Sequence, residues 1–137
     1  MIRSIVRDPL FLMQKSEPAT NGEAAKLAAD LTDTLQANLD RCVGMAANMI
    51  GERKRAIVFR SGPMLTVMFN PQITARSGEY ETEEGCLSLD GTRKTKRFRK
   101  ITVRFRDTQF RSRMAVFEGF TAQIIQHEID HCDGILI

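Results

Sequence analysis

A single α+β domain spanning residues 1–137, with antiparallel strands packed around a C-terminal helix, is the fold class this sequence predicts. Three observations carry that prediction. A capped helical segment lies near the N-terminus, short runs with strand character fill the middle, and a second helical segment carrying His127-Glu128-Ile129-Asp130-His131 closes the chain. Its 137 residues, 42% hydrophobic and 27% charged, suffice for one core and leave too little chain for two. No apolar run approaches the roughly 20 residues that span a bilayer, so no membrane partner is expected. The segment Met1 to Met13 is interrupted by Asp8 and Pro9 and is followed by no small-residue cleavage site, which predicts a cytoplasmic location. Cys42, Cys86 and Cys132 cannot all pair with one another, and thiols are expected rather than a disulfide framework.

The first helix follows from Thr20 and Glu23 at capping-box spacing and from Ala24, Leu27, Ala28, Leu31 and Leu35 at helical intervals, ending near Leu39. The small-residue stretch Cys42-Val43-Gly44-Met45-Ala46-Ala47 then offers close approach to its backbone, either to a ligand or to a helix packed above it. Ala56 to Phe59 and Leu65 to Phe69 read as strands joined by a Ser61-Gly62-Pro63 turn. Asn70-Pro71 is expected to end the second, and Ile73 to Ala75 to begin a third before Ser77-Gly78. Ile101, Val103 and Phe105 alternate with Thr102, Arg104 and Arg106 as in a half-buried strand, with Met114 to Phe117 pairing beside it. From Glu118 the period changes, and Phe120, Ile124, Ile125 and Ile129 mark a helix face that stops around Gly134.

The net charge of +3 is mild, but Arg93, Lys94, Lys96, Arg97, Arg99 and Lys100 crowd into one stretch. Such a run is either a solvated loop or strand edge, or an attraction to a polyanion such as ribosomal RNA that acts on encounter without reading sequence. Phe98 is its only aromatic, so it is no base-stacking platform and no sequence-specific nucleic-acid contact is expected.

On the closing helix, His127 and His131 at i and i+4 share a face and can grip one metal ion, while Glu128 between them can take a proton from water. A catalytic site of this kind needs a third ligand from elsewhere and an open position. Cys86, in the polar, glycine-containing Glu83-Glu84-Gly85-Cys86-Leu87-Ser88, is the natural candidate. Cys132 is a poor one, because adjacent helix positions point about 100° apart, and it reads as a small hydrophobe.

Gly85-Cys86-Leu87-Ser88 after two glutamates, followed by the His127 to His131 motif and Gly134, closely resembles the peptide deformylase family. Val43-Gly44-Met45-Ala46-Ala47 is similar to that family's first motif and lies in the right order before the other two. The resemblance covers nearly the whole chain, although the family commonly continues into a further C-terminal segment, and so it implies a short member. It implies a metal hydrolase that removes the formyl group from the N-terminal methionine of nascent polypeptides. Cys86, His127 and His131 would hold one divalent ion, ferrous iron by the resemblance, with zinc, nickel or cobalt as alternatives. Glu128 would be the general base, and the Leu87 backbone N–H would meet the oxyanion. Val43, Phe120, Ile124 and His127 match positions that line the methionine pocket, Gly44 and Glu84 positions that meet the substrate backbone, and Arg93 an outer substrate contact.

Three positions depart from the family pattern. Cys42 and Met49 stand where the first motif normally begins with Gly and ends with Gln, and Asp90 stands where Pro usually follows the Cys-Leu-Ser motif. Met49 has no donor for the oxyanion, while Asn48 beside it carries an amide. The leading expectation is therefore a peptide deformylase with reduced activity, and the alternative is a related protein that binds metal and N-terminal peptides without efficient turnover. A zinc endopeptidase uses the same helical motif, but the cysteine ligand and the glycine-alanine motif argue against it.

Overall fold

A computed structural model describes all residues, 1–137. Five antiparallel strands form one sheet in sequence order: β1 (Gly44–Ala46), β2 (Ala56–Ser61), β3 (Met64–Cys86), β4 (Leu89–Arg106) and β5 (Ser112–Glu118). The helices are α1 (Pro9–Leu12), α2 (Asn21–Ala37) and α3 (Gly119–Cys132), and a 3₁₀ turn spans Ala47–Ile50. At the start of α2, Glu23 reaches back to accept the Thr20 N–H at 3.3 Å, which satisfies one of the donors a helix leaves free. The short α1 begins at a proline and is capped by Asp8, whose carboxylate accepts the Leu10 N–H at 3.0 Å.

The sheet is sandwiched between α2 and α3. Ala56 and Val58 of β2 join Leu27, Leu31 and Leu35 of α2 in one core cluster, while Ile57 and Phe59 join Ile124, Ile125 and Ile129 of α3 in the other. Both faces of β2 are thus covered, which is why Ala56 to Phe59 reads as an unbroken apolar run. No helix is long and apolar enough to cross a membrane.

Two expected breaks do not occur. β3 runs through both Asn70-Pro71 and Ser77-Gly78. Asn70 adopts φ 50° and the pairing with β4 shifts between Phe69 and Gln72, so the proline sits at a bulge, where its missing N–H is tolerated. Gly78 adopts φ 75° and lies under Arg99, whose Cβ would be 3.1 Å from any Cβ placed there.

The basic stretch 93–100 belongs to β4, so of its two readings the solvated strand describes its structure. Across the ladder Arg93, Lys94 and Lys96 sit opposite Glu84, Glu83 and Glu81, and Lys96 lies 3.7 Å from Glu79. One member of the run is no surface cation at all: Arg97 is only 4% exposed.

Candidate active site

β3 and β4 form a long hairpin whose turn is Leu87-Ser88, with Cys86 and Leu89 paired across it. This places Cys86 at the hairpin tip, against the buried face of α3 that bears His127, Glu128 and His131. Gly44 lets the two layers close. A Cβ there would lie 2.7 Å from Ile124 Cγ2 and 3.0 Å from Glu128 Oε2, so a side chain at position 44 would force Ile124 and Glu128 to shift. Of the two readings of the small-residue stretch, close packing beneath a helix is what Gly44 does.

The ligand atoms of Cys86, His127 and His131 all lie within 4.8 Å of one another. The two imidazoles present Nε2 to Nε2 at 3.0 Å, an arrangement that needs either a proton on one nitrogen or a cation between the two lone pairs. His127 Nδ1 lies 2.8 Å from Glu84 Oε1, and donation to that carboxylate turns its Nε2 toward His131. Burial disfavours a charged His127, but the Glu128 carboxylate, the Cys86 hydrogen bond and Glu84 outweigh it and hold its pKa near 10. Burial and the neighbouring His127 charge push His131 down to about 3. The pair thus divides a single proton, and a cation held by both nitrogens and the thiolate satisfies the same requirement. A sulfur and two imidazole nitrogens are a donor set for a transition ion or zinc, so these residues fit a metal.

Glu128 is 4% exposed, and its Oε1 is buried with no hydrogen-bond partner. Burial is the main reason its carboxyl is raised to about 7, opposed by the His127 charge and assisted by Glu84. A carboxylate with a free oxygen and near-neutral basicity is suited to shuttle a proton.

A buried network behind the ligands went unread in the sequence. Arg97 donates through Nη2 and Nε to the Glu84 carboxylate at 2.6 and 2.9 Å, and through Nη1 to Asp130 Oδ2 at 2.6 Å. Gln123 Nε2 donates to Glu84 Oε2 at 2.9 Å. Burial opposes ionisation of Glu84, yet the hydrogen bonds from His127, Arg97 and Gln123 prevail and hold its carboxyl at about 2. Glu84, expected to meet the substrate backbone, therefore spends its side chain inside the protein orienting His127. The available signal for Arg97 was its place on the same strand alternation as Ile101, Val103 and Phe105.

A cavity of about 700 Å³ opens over this centre, lined among others by Val43, Gly44, Met49, Glu84, Cys86 and Leu87 from the sheet side and by Phe120, Ile124, His127 and Glu128 from α3. It brings together all the expected site residues except two. His131 is fully buried beneath the floor, and Arg93 is not in the wall; its guanidinium lies 3.4 Å from the Asp90 carbonyl instead. Met49 is 1% exposed and brings a thioether to the wall. The amide of Asn48 does not replace the missing donor, because its Nδ2 donates to the His131 carbonyl at 2.9 Å. Cys132 is buried in the α3 core cluster as a small hydrophobe, and its thiol is raised to about 12 by burial.

Fold and site together define a class: a small hydrolase whose Cys-His-His centre is built from a hairpin tip and one helix. The profile of the polypeptide deformylase family matches residues 2–137. A peptide deformylase of Clostridium beijerinckii is 56% identical over 137 residues, covering 100% of each chain, and one of Heliobacterium modesticaldum is 39% identical over 94% of this chain and 85% of its own. Among solved structures, a class I type b peptide deformylase from Acinetobacter baumannii bound to Met-Ala-Ser superposes with a TM-score of 0.89 at 30% identity, covering 99% of this chain and 97% of that one. The chain belongs to the polypeptide deformylase family, enzymes that remove N-formyl groups from nascent peptides.

Proposed function

We propose that this chain takes the formyl group from the N-terminal methionine of nascent polypeptides and releases formate, with Cys86, His127 and His131 holding one divalent ion. The observation that carries the reading is Glu128, a buried carboxylate with an unpartnered oxygen between two histidines whose ring nitrogens face each other. When bound, the ion supplies Lewis acidity, lowering the pKa of water and polarising the formyl oxygen. Glu128 accepts the proton of the attacking water and delivers it to the amine nitrogen as the C–N bond breaks. The Leu87 N–H is assigned to the charge developing on the formyl oxygen. Val43, Phe120, Ile124 and the edge of His127 supply the apolar wall for the methionine side chain, and Gly44 and Glu84, both in the cavity wall, meet the substrate backbone. Formate release from a formyl-methionyl peptide, lost on chelation and restored by added metal, tests the assignment; unchanged turnover in chelator would overturn it.

The reading of a protein that binds without turnover draws little support, because a relative bearing the enzyme's name aligns along the full chain. The departure at Met49 acts on rate. Losing one oxyanion donor costs about 10² to 10³ in kcat, so Met49→Gln is expected to raise kcat for formate release by tenfold or more. No gain would mean that another donor already fills the role.

Ferrous iron is the ion we assign in vivo. Oxidation strikes iron and, once the metal leaves, the Cys86 thiolate. Activity is expected to decline in air with Fe(II) and to persist with Ni(II) or Co(II); equal lifetimes for the three would contradict the assignment. The substrate is met where translation occurs, which places the protein in the cytoplasm. A ribosome contact through the exposed cations Lys94, Lys96, Arg99 and Lys100 rests on charge alone, and cosedimentation that weakens with salt would support it.

A further inference from the structure

The hairpin tip that presents Cys86 and Leu87 is poorly equipped to hold its own shape. Tight hairpins favour turns whose central residues take positive φ, commonly Asn or Gly. Neither Leu87 nor Ser88 does so, and the ladder slips between Gly85 and Cys86, with Gly91 at φ 74° relieving the mismatch. Something outside the hairpin must fix the tip.

Arg7 is in place to do it. Its Nη1 donates to the Leu87 carbonyl at 3.1 Å and its Nη2 to Asp90 Oδ1 at 2.7 Å, so one planar guanidinium bridges the two sides of the turn. The segment carrying it is itself anchored, because the Val6 N–H donates to the Met49 carbonyl at 2.8 Å and the Arg3 N–H to Thr34 Oγ1 at 2.9 Å. The result is a strut from the 3₁₀ turn bearing Met49 to the tip bearing Leu87, across the wall of the cavity. Asp90, which stands in place of the family's usual Pro, is the anchor of the strut.

We infer that Arg7 is a positioning residue for deformylation, holding the Cys86-Leu87-Ser88 tip so that Leu87 keeps its place in the cavity wall. The inference rests on the proposed function for its kinetic consequence and on geometry alone for its structural one. Arg7 and Asp90 are 56% and 98% exposed, and pairs of that exposure contribute little to global stability. Loss of the strut should therefore appear in catalysis and local motion, leaving the melting temperature nearly unchanged.

The experiment is a double-mutant cycle on the metal-loaded protein with Arg7→Ala, Asp90→Asn and both together. In Arg7→Ala, backbone amides of residues 86–91 should exchange faster with deuterium, and kcat should fall about three- to tenfold with KM little altered, in keeping with the cost of small misplacements. The double variant should be no slower than Arg7→Ala, because both changes dismantle one contact. Unchanged exchange at the tip, additive kinetic losses, or a rise in KM alone would overturn the proposal, the last by making Arg7 a substrate contact. Exchange needs no turnover, so an unaltered protein that releases no formate would sink the proposed function while the exchange result still decides the role of Arg7.

Discussion

Formate release falls by roughly 10²- to 10⁴-fold in Glu128→Ala while metal content and fold are retained. The size follows from the general-base role. The retention follows from what the carboxylate does not do: its Oε1 holds no hydrogen bond, and the three candidate ligand side chains do not include it. Removing a buried, unpaired acid relieves a desolvation cost, so the variant should melt no lower than the parent apart from the packing lost beneath Gly44. Glu128→Gln is the sharper control, since it keeps the shape against β1 and cannot take the proton. Elemental analysis alongside the formate assay separates the two effects. Residual activity within a few-fold of the parent would remove Glu128 from the mechanism.

Arg97→Met has the largest expected effect on folding, a loss of about 3–5 kcal/mol in urea denaturation. Arg97 is 4% exposed and touches two carboxylates, one of them Glu84 at 8% exposure. Without the guanidinium, Glu84 is left as a buried charge with only Gln123 and His127 to hold it. Arg97→Met combined with Glu84→Gln should recover part of the loss, because the orphaned charge is gone as well. A loss near 1 kcal/mol, the size expected of a surface pair, would show that the network is solvated.

The parts of the site that lie close together in sequence were legible. His127, Glu128 and His131 share a helix whose period announces their common face, and Cys86 sits in a distinctive loop. The core helices and the strands Ala56 to Phe59 and Ile101 to Phe105 were readable for the same reason, since burial imposes a period. What was not legible depends on register. Six cations lie between residues 93 and 100, and strand pairing decides which of them points inward; a slip of one residue would have buried a different one. Local turn signals misled at Asn70-Pro71 and Ser77-Gly78, because pairing with a long partner strand absorbs both as a bulge and a glycine. Arg7 was invisible because the residues it touches lie 80 and 83 positions away.

The chain contains three free cysteines and no disulfide, yet its ligand set joins a hairpin tip to a helix far along the sequence. A metal held by the proposed ligands would perform the office of a covalent cross-link. It would close the segment from Cys86 to His127 into a ring, restricting the open chain as a disulfide would, and its full ligand set would exist only where sheet and helix have met. A chain stripped of that ion would lose its reactive centre and one tie between two layers that Ile57, Phe59, Ile124 and Ile125 still hold together.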